Sequence, residues 1–184
     1  MTYYGAKELA QSFRTVRKNT IQIAEDIPEE KYDFRPAEGS RTVAETLVHI
    51  AVMTRVPEQI HGIERLSSLA SFDFFGFRGK LQAEQRKPRT KAEILDLLRT
   101  EGERFAELLE GASEAFLAQQ VEYPAGMEPP TKSRFEMLSA PKEHEMHHRG
   151  QLMVIERLLG ITPHLTHQME ERIASMQAAA QAAR

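Results

Sequence analysis

The sequence predicts an all-α protein, an up-and-down four-helix bundle with an extra C-terminal helix. Three observations favour this fold class. Apolar residues recur at spacings of three and four in four long segments, as they do on one face of a helix. No segment shows sustained alternation of apolar and polar residues, which would indicate strands. The 184 residues suffice for one domain with a substantial core. We therefore expect a bundle over residues 1–163 and a helical extension over 164–184.

The first two helices are predicted from their apolar stripes and from the residues that begin or end them. Apolar side chains at steps of three and four predict a helix over about 5–26, and Pro28 ends it. Thr42 is the predicted cap of the second helix, with Glu45 as its partner in a capping box. Pro57 is expected to kink this helix or to end its first half.

The third and fourth helices carry the same signals. Thr90 and Glu93 form a second capping box, and Gly111 marks the end of the helix that follows. Ser133 is the predicted cap of a helix over about 133–159.

The connections between these helices are predicted to be irregular. Residues 66–89 lack helical periodicity, so we expect a long loop with at most a short helix. The aromatic cluster in this loop is expected to belong to the core rather than to a binding platform, and it comprises Phe72, Phe74, Phe75 and Phe77. Residues 112–131 are also loop-like, with Val121–Tyr123 as the only indication of a strand. A last helix is expected over about 164–182.

Composition excludes several functional classes. The net charge of −3 disfavours a general binder of nucleic acid or of anionic membranes. The absence of cysteine excludes disulfides, thiolate metal ligands and a cysteine nucleophile. No apolar segment approaches the roughly 20 residues of a membrane span, and charged residues near the N-terminus argue against a signal peptide. We expect a cytoplasmic protein with neither nucleic-acid nor membrane partners.

Two histidines fall on the face of the fourth helix that is predicted to be buried. Counting back from Leu159 in steps of three and four passes Ile155 and Leu152 and reaches His148 and His144. Buried imidazoles destabilise a core unless each has a partner. Imidazoles one turn apart can direct their Nε2 atoms at one metal ion. The pair therefore predicts a metal site.

His49 is the candidate third ligand. It lies in an apolar stretch of the second helix, Leu47–Ala51, where a single histidine would ordinarily be a hydrogen-bonded core residue. The pair on the fourth helix favours the ligand role instead. Three neutral imidazoles form the open tripod of a catalytic zinc site, and nickel or iron would accept the same ligands. We predict one divalent metal ion per chain, of open identity.

Two segments resemble the hallmarks of a known family. The run Glu143–Leu152, EHEMHHRGQL, resembles the signature of the DinB/YfiT-like superfamily of metal enzymes. The segment Thr42–Ala51, preceded by Arg35-Pro36, resembles its second hallmark. The resemblance covers about residues 5–160. It implies a four-helix bundle, commonly dimeric, in which the three histidines named above surround one divalent metal ion.

The resemblance implies an enzyme that acts on a small molecule. Its relatives include bacterial thiol S-transferases and a mycothiol-dependent isomerase, so a low-molecular-weight thiol is a candidate substrate. A metal-bound water would support hydrolysis instead. Glu145 is the candidate catalytic base or a partner of the ligands, and the alternative is a solvated helix charge. His147 is expected to support a ligand or to lie on the surface. Three other histidines are predicted to be surface residues, namely His61, His164 and His167.

A zinc protease is the main alternative. The segment His144–His148 also fits the H-E-x-x-H pattern, with Glu145 as general base and Glu170 or Glu171 as third ligand. Three features argue against it: the extended protease pattern is missing downstream, Pro141 precedes the segment closely, and no sheet is predicted. A non-catalytic metal-binding dimer and a bundle with buried histidines but no metal are further alternatives.

Overall fold

The computed structural model describes residues 4–182, and its helices confirm the predicted fold class. The four long helices are α1 (Ala6–Asp26), α2 (Val43–Met53), α4 (Lys91–Glu110) and α6 (Arg134–Leu158). Shorter or peripheral helices are α3 (Phe74–Gln85), α5 (Glu114–Leu117) and α7 (His164–Ala182). A two-stranded antiparallel hairpin of β1 (Gln120–Glu122) and β2 (Thr131–Ser133) leads into α6. Within the described range, no helix is long and apolar enough to cross a membrane.

The predicted helix starts are confirmed by their hydrogen bonds. The Thr42 hydroxyl accepts from the Glu45 amide, and the Glu45 carboxylate accepts from the Thr42 amide. The same reciprocal pair begins α4 at Thr90 and α6 at Ser133. These bonds satisfy backbone amides that a helix start leaves without partners. Pro57 lies in the helical turn Arg55–Pro57 beyond the end of α2, and this turn continues into a π-helical segment, Glu58–Ile63.

The packing order places the first two long helices, α1 and α2, across the bundle from one another. α1 packs against α4 and α6, and α2 packs against the same two helices. α1 and α2 therefore occupy diagonal positions. Two apolar clusters fill the interior. One is centred on α2, including Leu47 and Ile50, and the other joins α1 to α4 through Phe13 and Phe105. The Phe13 and Phe105 rings meet edge to face, with centroids 4.9 Å apart.

The connections hold more structure than the sequence indicated. A helix of 12 residues, α3, occupies part of the predicted loop and begins at Asp73, whose carboxylate accepts from the Gly76 amide. Only Leu81 of this helix is buried, so its sequence lacks the apolar stripe that would reveal it. The core assignment is wrong for Phe74 and Phe75, which are 51% and 82% exposed. The indicated strand is confirmed as β1, with Val121 buried.

Two of the three histidines predicted to lie on the surface are not exposed. His61 is 1% exposed, and its Nδ1 accepts a hydrogen bond of 2.8 Å from Arg134. The side chain of His164, at the start of α7, is 13% exposed. His167 is exposed as predicted. The hydrogen-bond partner of His61, Arg134, is 73 positions away along the chain, so no local pattern indicated that this histidine is buried.

Glu156 is a buried carboxylic acid near the end of α6. It is 0% exposed, and neither of its carboxyl oxygens has a hydrogen-bond partner among the described residues. Burial, and then the nearby charge of Asp26, raise the pKa of Glu156 to about 7. The group is therefore neutral in the folded protein over a pH range in which it is ionised in the unfolded chain.

We expect Glu156→Gln to remove a pH-dependent destabilisation. Between its ordinary pKa of 4.5 and about 7, folded Glu156 keeps a proton that the unfolded chain releases, so the free energy of unfolding falls as pH rises. The free energy of unfolding of the variant, relative to that of the wild type, should therefore rise between pH 5 and pH 8. The rise should be up to about 3 kcal/mol. Urea unfolding across this range, with chelator present, measures the gain. The exposed control Glu107→Gln should show none, and parallel wild-type and Glu156→Gln profiles would contradict the assignment.

Candidate metal centre

Three histidines from two helices meet inside the bundle. His144 and His148 lie one turn apart on α6 and face α2, which carries His49. The Nε2 of His144 is 3.1 Å from the Nε2 of His49 and 3.2 Å from the Nε2 of His148. All three nitrogens lie within 4.8 Å of one another. The structure thus brings together the three residues that the sequence indicated as ligands.

The geometry and protonation of the cluster fit a metal ion. Two nitrogens bound at about 2.0–2.1 Å to one tetrahedral ion are roughly 3.3 Å apart, close to the observed separations. The Nδ1 atoms of His49 and His148 face the side-chain oxygens of Gln85 and Gln151, at 3.0 and 2.8 Å. Each Nδ1 must therefore carry the proton that it donates, which leaves each Nε2 with a lone pair. The Nε2 of His144 lies at hydrogen-bond distance from both of these atoms, so it either donates its own proton to them or, with its proton on Nδ1, joins them as a third metal ligand.

The two glutamines orient the rings from outside the cluster. A histidine ligand ordinarily donates its second ring N–H to an oxygen, which fixes both its tautomer and its direction. Gln151 does this from one turn further along α6 and also contacts the Nε2 of His147 at 3.1 Å. Gln85 does so from the end of α3. Gln85 was not among the predicted site residues, because it lies in a segment with no helical periodicity.

Burial keeps the three imidazoles neutral. It lowers the pKa of His49 and of His144 to about 4, and it also lowers the pKa of His148. The positive charge of Arg41 acts in the same direction on all three rings. A neutral imidazole is the form that binds a metal ion, so the cluster stays competent for binding below the pH at which ordinary histidines become protonated.

Glu145 faces away from the cluster and pairs with α1. Arg17 holds both of its oxygens, with the Nε 2.9 Å from Oε1 and the Nη2 2.9 Å from Oε2. Both side chains are buried, and the Nη1 of Arg17 also donates to the Leu98 carbonyl at 2.7 Å. Gly102 provides the space, because a Cβ there would lie 2.8 Å from the Arg17 Cγ. The alternative of a solvated charge is therefore wrong for Glu145, and its catalytic role stays a prediction.

The other candidates lie outside the cluster. His147 is exposed, and its ring packs against that of His148 with centroids 5.0 Å apart. Glu170 and Glu171, the third ligands of the protease alternative, are exposed on α7 and do not join the histidines. Pro141 lies within α6 without interrupting it, so the prediction that this proline speaks against a zinc protease is wrong. The protease alternative is disfavoured instead because His49, and neither Glu170 nor Glu171, lies beside His144 and His148.

Two cavities border the cluster along α6. One, of about 300 Å³, lies beside His144 and is lined mainly by apolar side chains of α2, of the segment after it and of the first half of α6. The other, of about 680 Å³, lies beside His148, between the second half of α6 and the loop that precedes α2. The cluster therefore has a cavity next to each of its two histidines on α6.

We expect loss of the Arg17–Glu145 pair to destabilise the bundle. Glu145→Leu leaves Arg17 charged, buried and without its carboxylate, which should lower the free energy of unfolding by about 3–5 kcal/mol. The double variant Arg17→Met/Glu145→Leu should recover most of this loss, because no charge is left buried. Urea unfolding measures both, with the exposed neighbour Glu143→Gln as control. A Glu145→Leu protein as stable as the wild type would contradict the structural role.

Replacing Gln85 should weaken metal binding without removing a ligand. Gln85→Leu leaves the Nδ1 of His49 without its acceptor, and loss of such a support typically weakens metal binding by about 10- to 100-fold. Competition with a chromophoric chelator for zinc measures the affinity. Gln82→Leu, an exposed position on the same helix, is the matched control. Equal zinc affinities for the two variants would show that Gln85 does not support the site.

Comparisons with known proteins agree with this architecture. YjoA of Bacillus subtilis is 26% identical over 163 residues, which cover 85% of this chain and 92% of YjoA. Its crystal structure, described as DinB-like, aligns with a TM-score of 0.61 over 84% of this chain and 94% of that chain. YfiT of Bacillus subtilis aligns with a TM-score of 0.66 at 16% identity, over 88% and 91% of the two chains.

The YfiT structure is described as a probable metal-dependent hydrolase with an unusual four-helix bundle topology. A DinB-like protein from Bacillus cereus aligns with a TM-score of 0.65 at 20% identity, over 88% of this chain and 97% of that one. At these identities the two structures establish the fold alone. Residues 12–152 match the family model of the DinB superfamily, which is more than half of the sequence. The chain therefore belongs to the DinB superfamily.

Proposed function

We propose that this protein is a metal-dependent enzyme that acts on a small molecule, of the hydrolase or thiol S-transferase type. The observation that carries the proposal is the convergence of three neutral Nε2 atoms beside two cavities. The family resemblance adds the further proposal of a cytoplasmic homodimer. Neither the cytoplasmic location nor the dimer is required for chemistry at the three histidines.

His49, His144 and His148 would hold the ion, which would be zinc, nickel or iron. When bound, such an ion supplies either a water of lowered pKa or a site for a substrate thiolate. The side chains of this chain prepare that chemistry. Gln85 and Gln151 orient two of the rings, and burial keeps the rings neutral.

The cluster favours an open site over a closed structural one. Structural zinc sites ordinarily have four protein ligands, whereas catalytic sites have three and leave one position for water or substrate. Among the described residues, the group that could hold a metal contains three histidines and no fourth ligand. This count supports an enzyme over a purely structural metal site.

Hydrolysis is the more strongly supported of the two reactions. YfiT, which shares this fold, is described as a probable metal-dependent hydrolase. Thiol transfer is supported by the family resemblance alone. The protease alternative has weaker support, because Arg17 holds its base and its proposed third ligands lie on α7.

The metal content of untagged protein purified without chelator tests the proposal. We expect about one divalent ion per chain in the wild type and in Glu171→Ala, and loss of the ion in His49→Ala. Circular dichroism checks that each variant remains helical. Metal retained by His49→Ala and lost from Glu171→Ala would favour the protease-like site instead. No metal in any form, even after incubation with zinc, nickel or iron, would overturn the enzyme proposal.

A further inference from the structure

The two cavities beside the histidines differ in chemistry. Apolar side chains such as Ile50, Met53 and Ile60 line the one beside His144. The cavity beside His148, which we call the polar cavity, is lined by Pro36, Gly39, Ser40, Arg41, Thr46, His147 and residues of α6. None of its lining residues is an aspartate or a glutamate, and Arg41 is its one permanently charged side chain. The polar cavity therefore carries a positive charge with no carboxylate to balance it.

Arg41 has no partner of its own. Across residues 4–182, no hydrogen bond or ion pair engages its guanidinium. Two other arginines near the site are paired. Arg17 holds Glu145, and Arg35, in the same loop as Arg41, contacts Glu45 at 3.1 Å. Ser40 and Thr46 use their hydroxyls on backbone carbonyls. Arg41 is exposed at the wall of the polar cavity, so its guanidinium is free to pair with a group that enters this cavity.

The charges around the cluster also favour an anion. Three neutral imidazoles do not offset the charge of a divalent ion, and Arg41 would add another positive charge. The nearest buried carboxylate, Glu145, is already balanced by Arg17. The apolar cavity lacks this excess, since its Lys132 is accompanied by Glu136. One planar guanidinium binds one carboxylate through two parallel hydrogen bonds and matches its single negative charge, whereas a phosphate monoester carries close to two negative charges.

We propose that Arg41 binds a carboxylate group of the substrate in the polar cavity and thereby determines specificity. The substrate would then be a small carboxylic acid whose reacting atom lies at the three histidines. This inference rests on the proposed function, because it takes the polar cavity to be the substrate side of that metal site.

Binding of phenylacetate and of its neutral analogue phenylacetamide tests the proposal. Calorimetry on both metal-free and zinc-loaded protein gives the affinities for the wild type, Arg41→Gln and Arg41→Lys. Arg35→Gln is the matched control, because it removes the same charge from the same loop at a position outside the cavity lining. Circular dichroism confirms the fold of each variant.

We expect the wild type to prefer phenylacetate over phenylacetamide in both forms of the protein. Arg41→Gln should weaken phenylacetate binding by at least about tenfold and leave phenylacetamide unchanged. Arg41→Lys should retain part of the affinity, and Arg35→Gln all of it. Equal binding of phenylacetate by Arg41→Gln and the wild type would overturn the proposal. So would a wild type that binds no phenylacetate or does not discriminate the two probes.

Two further measurements, with phenyl phosphate and with metal-free protein, distinguish failure of the carboxylate site from failure of the metal site. Phenyl phosphate bound more tightly than phenylacetate, and lost in Arg41→Gln, would overturn the assignment to carboxylates. The metal-free arm reports on Arg41 without the ion. A protein that takes up no metal but still loses phenylacetate binding in Arg41→Gln would contradict the enzyme proposal and support the carboxylate site. A protein that binds zinc normally, but whose Arg41→Gln variant binds phenylacetate as well as the wild type does, would support the metal site and contradict the carboxylate site.

Discussion

The buried ion pair between Arg17 and Glu145 determines how the long helices face one another. Glu145 follows His144 directly, so their side chains point about 100° apart around α6. Because Arg17 holds Glu145 towards α1, His144 and His148 are turned towards α2. The carbonyl of Leu98 ties α4 to the same guanidinium. Two charges removed from water are tolerated here because each finds a matched partner.

The surroundings of the cluster follow from that orientation. α2 is buried on nearly every side, so His49 is held in a largely apolar environment that keeps it neutral. Polar groups nevertheless approach where a metal ion would need them. Gln85 comes from α3 and Gln151 from α6, each directed at one ring. The same burial that makes a charged imidazole unfavourable therefore makes these histidines good ligands for a cation.

Features that depend on local pattern were predictable from the sequence. The three capping boxes and the apolar stripes determine where the long helices begin. The spacing of His144 and His148 on the buried stripe indicated the metal site directly. Features without a local pattern were missed. α3 buries only Leu81 and so shows no stripe, and Phe74 and Phe75 look like core residues although they face solvent.

The sequence by itself therefore determined the helical class, the starts of the four long helices and the identity of the three histidines, because periodicity and capping act within a few residues. Only the tertiary structure decided which side chains meet. Arg17 and Glu145 are 128 residues apart, and Gln85 and His49 are 36 apart. The packing order, with α2 diagonal to α1, brings such pairs together, and no spacing along the chain encodes it. The roles of Glu145, Gln85 and Arg41 depend on that order.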